Sequence, residues 1–263
     1  MRPGIVTLTT DFGGVGPYVA AMKGVLLGMA PGVAIVDVCH SIAPQNILEG
    51  AFVLEGIVKA FPEGTVHLAV VDPGVGTARR MLAIRTAGQW FVLPDNGLIT
   101  GVAGLYGVEA AWEIANPRLA RGEVAPTFHG RDVLAPAAAH ILKGGDPAEL
   151  GPATERFVTL RNFEPTPAER GCIGEVIFRD AFGNLITNIG EAHLAARPSR
   201  DWVVEVGGRR IDGVARTYGE SPPGSLIALL GSTGWVEVAV VNGDAGRLLS
   251  AGPGATVWLR PKS

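Results

Sequence analysis

The residues 71–80, Val71-Asp72-Pro73-Gly74-Val75-Gly76-Thr77-Ala78-Arg79-Arg80, set a carboxylate seven positions ahead of a guanidinium across a turn of proline and glycine. Asp72 follows an apolar run, residues 65–71, that reads as a buried strand, so the strand delivers the carboxylate onto the turn. Gly74 and Gly76 carry no Cβ and let the backbone bend tightly and approach a ligand closely. Arg79 can therefore fold back toward Asp72 within one pocket. The same residues, taken alone, would also make a structural turn with a surface ion pair, which contributes little.

Other chemistry-bearing residues are spread along the chain. Asp11 and Asp37 each lie at or just past the end of an apolar run. Gly14-Val15-Gly16 follows the first run and precedes a helix, as in a dinucleotide fingerprint, but the third glycine would fall at Val19, which obstructs close helix–strand packing. A P-loop is excluded because no Gly-Lys-Ser/Thr occurs. His129, between Phe128 and Gly130, stands just ahead of an Ala-rich helix, where a lone histidine could cap the helix or fill space. With no H-x-x-x-H or H-E-x-x-H spacing and no C-x-x-C pair, no metal site is expected. Asp180-Ala181-Phe182-Gly183-Asn184 reads first as a hairpin turn. Functionally, Asp180 could hold an ammonium and Asn184 could read a heterocycle edge.

The elements that must position these residues alternate. Strands are expected at 5–9, 34–38, 65–71, 81–86, 90–93 and 110–114, with helices near 18–29, 47–58 and 97–106 and an Ala-rich one ending near Lys143. Such alternation implies an α/β fold, a mostly parallel layered sheet whose ligands collect at the carboxyl ends of the strands. After residue 160 the character changes. Two prolines in a polar stretch suit a linker at 161–170. Beyond it, Gly- and Pro-punctuated β runs predict a smaller antiparallel β-barrel domain over 171–263, after an N-terminal domain over 1–160.

Composition narrows the classes. Net charge is −3 and charged residues are 18%, so no footprint for nucleic acid is present. No apolar run is long enough to span a membrane, and the N-terminus lacks a signal-peptide core, so a cytoplasmic protein is expected. With 47% hydrophobic residues and few charges, part of the surface is expected to be hidden in an oligomer.

Six separated motifs, in order and nearly end to end, carry a family resemblance. They are Thr9-Thr10-Asp11-Phe12-Gly13, His40-Ser41-Ile42 with Pro44-Gln45, the 71–77 turn with Arg79, Asp95-Asn96-Gly97-Leu98, Phe128-His129-Gly130-Arg131-Asp132, and Phe182-Gly183-Asn184 with Thr187-Asn188-Ile189. Together they resemble the S-adenosyl-L-methionine hydroxide adenosyltransferases, relatives of the S-adenosylmethionine-dependent fluorinase and chlorinase. The resemblance implies a homotrimer. It also implies a substrate lying between the N-terminal domain of one subunit and the C-terminal domain of its neighbour. The implied reaction is attack of water-derived hydroxide on the ribose 5′ carbon, giving adenosine and L-methionine, with no cofactor. Asp72, Arg79 and His129 would form the catalytic trio.

Further contacts follow from the same resemblance. Asp11 would take the ribose hydroxyls and Gln45 would face the substrate. Asp180 would hold the methionine ammonium, Ser232 its carboxylate, and Asn184 the adenine edge. The chain departs from the family pattern at Gly16-Pro17, where relatives commonly show an aspartate, so the ammonium contact is expected either to be weakened or to shift onto Asp180. A halogenase is disfavoured, because a tyrosine in the halogenating relatives is replaced here by Asp72, which would repel a halide. Gly130 likewise lacks the fluorinase's halide-contacting serine hydroxyl. A binding protein that keeps the fold without catalysis is the alternative, and the intact trio argues against it.

Overall fold

The first strand, β1 (Ile5–Thr10), is buried from Val6 onward, as a strand paired on both sides and covered on both faces must be. The computed structural model describes residues 4–262, and they divide into two compact units, with the division between Leu160 and Arg161. In the first, β1 is followed by α1 (Tyr18–Met29), β2 (Ala34–Cys39), α2 (Ile47–Ile57), β3 (Val66–Val70), β4 (Met81–Thr86), β5 (Gln89–Pro94), α3 (Thr100–Tyr106), β6 (Ala110–Glu113) and α4 (Ala135–Leu142). The sheet runs β2-β1-β3-β5-β4-β6, and β2, β1, β3 and β5 are parallel.

β4 runs against both of its neighbours. Only Ala87 and Gly88 separate β4 from β5, too few for a crossover helix, and both take positive φ (53° and 67°), which suits a two-residue hairpin. The expected mostly parallel sheet thus has one reversed strand.

Alternation along β3 assigns the layers. Val66, Leu68 and Val70 join the core under α1 and α4, while Ala69 and Val71 join the core under α2 and α3. Register then aligns the strand ends. Thr10 pairs with Val70 and Thr9 with Cys39, so the loops after β1, β2 and β3 leave from one edge of the sheet.

The second unit contains β7 (Thr166–Pro167), β8 (Cys172–Arg179), β9 (Leu185–Gly190), α5 (Glu191–Leu194), β10 (Trp202–Val206), β11 (Arg209–Asp212), β12 (Leu226–Leu230), β13 (Trp235–Val240), α6 (Ala245–Leu249) and β14 (Thr256–Pro261). Its antiparallel sheet runs β11-β10-β14-β8-β9-β13-β12, and a bridge from Ala215 to Leu229 brings it close to a closed barrel. Val176, Leu185, Val204, Val238, Val257 and Leu259 fill the interior. Within 161–170, read as a linker, β7 pairs with β8 and Phe163 is buried edge-on against Trp235. β11 escapes an apolar-run reading because only Ile211 of its four residues is buried. Among the described residues no helix is long and apolar enough to cross a membrane.

Candidate active site

Asp72 leaves the carboxyl end of β3 onto the turn that bends back toward it. The turn is closed by Val75 N–H donating to the Asp72 carbonyl at 3.2 Å and by the Thr77 hydroxyl donating to the Gly74 carbonyl at 2.7 Å. Gly76 has φ +80°, and a Cβ there would stand 2.7 Å from the Pro126 carbonyl oxygen, so only glycine fits. A Cβ on Gly74 would press on Arg79 Cγ at 3.3 Å. The bare turn thus makes room for the arginine stem.

Arg79 folds back as a fork. Its Nε donates to Asp72 Oδ1 at 2.8 Å and to Oδ2 at 2.9 Å, and its Nη2 donates to Oδ2 as well. The side chains are 10% and 5% exposed, so this is a buried, bidentate pair rather than the surface pair that the turn alone allowed. Nη2 also lies 3.0 Å from His129 Nδ1. A guanidinium always keeps its protons and can only donate, so Nδ1 accepts and the neutral ring carries its hydrogen on Nε2. Burial and then the charge of Arg79 hold the His129 pKa below its usual 6.5, partly opposed by Asp72 and Asp132. Arg79 Nη1 is buried with no hydrogen-bond partner.

His129 does not cap the following helix with its side chain. It precedes a π-helical segment, Gly130–Leu134, a geometry that frequently marks functional sites. Buried Asp132 secures that segment, accepting from Arg131 Nε at 2.7 Å, from Arg131 Nη2 at 2.8 Å and from Ala125 N–H at 3.0 Å.

A cavity of about 340 Å³ collects Asp11, Phe12, Gln45, Asp72, Phe128 and His129. Asp11 Oδ2 accepts from Gln45 N–H at 2.8 Å, and Gln45 holds φ 66°, strained for a residue with a Cβ. Asn46 caps α2 by accepting from Glu49 N–H at 3.1 Å, while Glu49 accepts from Ala43 N–H at 3.1 Å, which fixes the loop behind Gln45. Asp37, the third carboxylate at this edge, is paired with Lys23 and His40 and does not line the cavity. Phe12 and Tyr18 each meet Phe128 edge-to-face and lie tilted against one another, an aromatic trio that the residue-type reading passed over.

In the second unit Asp180 and Asn184 share the turn between β8 and β9. Asp180 Oδ1 accepts from Phe182 N–H and Asn184 N–H, both at 2.9 Å, and Oδ2 accepts from Asn184 Nδ2 at 2.9 Å. Ser232 is exposed in the turn between β12 and β13 and, among the described residues, makes no hydrogen bond to either. Two groups beside that turn were missed. Tyr218 donates to Glu237 Oε2 at 2.9 Å and lies 3.4 Å from Asn184 Nδ2. Burial raises the Glu237 carboxyl, opposed by the Tyr218 hydrogen bond. Burial, with Glu237 beside it, pushes Tyr218 up to about 12. A lone acid inside the apolar run of β13 was the signal available.

The family profile described as SAM hydroxide adenosyltransferase N-terminal domain matches residues 6–151, and its C-terminal counterpart matches residues 174–258. This chain belongs to the SAM hydroxide adenosyltransferase family. It is 45% identical to the (R)-S-adenosyl-L-methionine hydrolase of Thermus thermophilus, over 98% of this chain and 100% of the relative. A fluorinase of an Actinoplanes species is 34% identical over 72% of this chain and 73% of its own. A crystal structure of a conserved protein from Thermotoga maritima superposes with a TM-score of 0.89 at 36% identity, covering 97% of this chain and 99% of that one. Within this hydroxide adenosyltransferase, Asp72, His129, Asp11 and Gln45 line one cavity of the first unit, and Arg79 bonds to Asp72 and His129 without lining it. Asp180, Asn184 and Ser232 belong to the second.

Proposed function

We propose that this chain hydrolyses S-adenosyl-L-methionine to adenosine and L-methionine. Its relatives' names specify the (R) form of the sulfonium, and the proposal takes that form as the substrate. The single observation that carries the reading is that Asp72 and His129 line one cavity beside Asp11 and are both bonded to Arg79.

In this mechanism a water oxygen bonds to the ribose 5′ carbon as the carbon–sulfur bond breaks. The bonding pair returns to sulfur, leaving the neutral thioether of methionine. The sulfonium is already a good leaving group and needs no acid; hydroxide is what neutral water lacks. The Arg79 guanidinium, bonded to the two cavity-lining side chains Asp72 and His129, places a fixed positive charge next to the developing oxyanion. The Nε2–H of His129 orients the same oxygen. Three hydrogen bonds from Arg79 use three of the roughly four acceptor sites of Asp72, so Oδ1 keeps one for the departing proton. His129 Nδ1 is already engaged, and the hydrogen-bond directions therefore favour Asp72 over His129 as proton acceptor. Opposite charges cancel in the transition state, so a dry site favours reaction.

Asp11 takes the ribose hydroxyls through its open oxygen and Gln45 faces the nucleoside. Asp180 holds the ammonium, Asn184 the adenine edge and Ser232 the carboxylate. The proposal includes a homotrimer, in which a neighbouring subunit supplies those second-unit residues, and a cytoplasmic setting. Turnover in heavy-oxygen water should place the label on the 5′ hydroxyl of adenosine. Adenosine released without label would rule out direct attack, and a 5′-halogenated nucleoside formed on adding halide would favour a halogenase instead.

A further inference from the structure

The two loops that bring Asp11 and Gln45 to the cavity are tied together behind it by a side chain that the mechanism leaves unused. His40 opens the loop that ends in Gln45, and its carbonyl accepts from Gly13 N–H at 2.7 Å, in the loop that carries Asp11. Its ring Nε2 lies 3.0 Å from Asp37 Oδ1. A carboxylate only accepts, so Nε2 bears the hydrogen. Nδ1 is 2.9 Å from the hydroxyl of Thr10, which itself accepts from Phe12 N–H at 3.2 Å. Thr10 is fully buried and adjoins Asp11. Lys23 Nζ steadies Asp37 from the other side at 2.6 Å. A hydrogen-bonded chain, Lys23–Asp37–His40–Thr10–Phe12, therefore crosses from β2 to β1 and ends in the cavity wall. Across the opening, the Gln45 N–H donates to Asp11 and Gln45 holds a strained φ, and such strain persists only where the surroundings enforce it.

We infer that His40 is a positioning residue: it holds the Asp11 loop and the Gln45 loop at the separation that grips the nucleoside, without touching substrate. The inference rests on the proposed reading of the cavity as a nucleoside site. It assigns the chain to binding rather than to the chemical step, because the chain ends at Phe12 and Asp11 and makes no bond to Asp72, Arg79 or His129.

The test compares His40→Ala, His40→Asn and the shape-matched Thr10→Val in the full-length protein. Kinetics use S-adenosyl-L-methionine, and calorimetry uses adenosine as the probe. His40→Ala and Thr10→Val each cut the link between His40 and Thr10 and should each raise KM and the adenosine Kd roughly fivefold, the scale of one hydrogen bond's net contribution, with kcat within about twofold of wild type. The double variant should be no worse than either single one, since both cut one chain. His40→Asn, which keeps a polar group at the Nδ1 position, should recover most of the affinity. Unchanged KM and Kd, or a fall in kcat at constant KM, would overturn the inference. Should His40→Ala fail to fold, Thr10→Val decides by the same readings. Failure of the functional reading would look different, because wild-type protein would then release no adenosine.

Discussion

Replacing Arg79 with methionine keeps an unbranched stem against Gly74 and removes every donor of the fork. Asp72, 5% exposed, would lose its three hydrogen bonds at once and stay buried as an unpaired carboxylate. Breaking a buried pair from one side costs about 3–5 kcal/mol of stability. For a chain of this size that corresponds to a fall in Tm on the order of 10 °C. The chemical step should suffer separately. Losing a preorganised positive charge next to the developing oxyanion lowers kcat by roughly 10²–10³. His129 Nδ1 would also lose the hydrogen bond from Arg79 that sets its tautomer. Ligand affinity should move far less, since Arg79 is bonded to Asp72 and His129 and does not itself line the cavity. The assay pairs adenosine release with calorimetric binding of adenosine at a temperature where the variant is folded. Arg79→Lys should fall between, because an ammonium keeps the charge and loses the planar fork. If Kd and KM rose in step with the loss of kcat, Arg79 would be a binding residue and the oxyanion argument would fail.

Three further outcomes are expected. Fully buried His67 accepts from Thr7, donates to Gln89, and has its pKa pushed down to about 4 by burial, against 6.5 when unfolded. The unfolded chain binds the extra proton between those values, so stability should fall by about 3 kcal/mol as pH drops from 6.5 to 4. Denaturant melts of His67→Leu should show a correspondingly flatter acid limb. His129, with its pKa lowered, must be neutral to accept from Arg79, so kcat/KM should drop on the acid side only below pH 6.5. His129→Gln should be slower and should lose that limb in a pH–rate profile. Gly76→Ala forces a Cβ onto the Pro126 carbonyl at positive φ and should cost about 1–3 kcal/mol in thermal melts, with kcat falling because Arg79 is displaced.

Much of the first unit was legible because its signals are local. The runs that became β1 and β3 are short, predominantly apolar or β-branched and free of charged residues, and Asp72 just past β3 could be placed on a sheet edge from that run alone. The reversed β4 was not legible, because apolar periodicity carries no direction, and only the Ala87–Gly88 spacing hinted at it. β11 was missed for a different reason: three of its four residues face solvent. At the second-unit turn, the hairpin reading describes how Asp180 is engaged within its own turn, yet Tyr218 and Glu237 were invisible until strand pairing brought them beside Asn184.

Residue types and spacing by themselves determined the two-part architecture, the strand-borne carboxylates and the bare turn that frees Arg79. Tertiary structure alone decided that Arg79 meets His129, fifty residues onward, and that Asp37 turns away to Lys23 and His40 while Asp11 faces the cavity. The physical reason is range. Periodicity and turn chemistry act over a few neighbouring residues, whereas burial of an ion pair and the direction of a hydrogen bond depend on which distant segments the folded sheet brings to one edge.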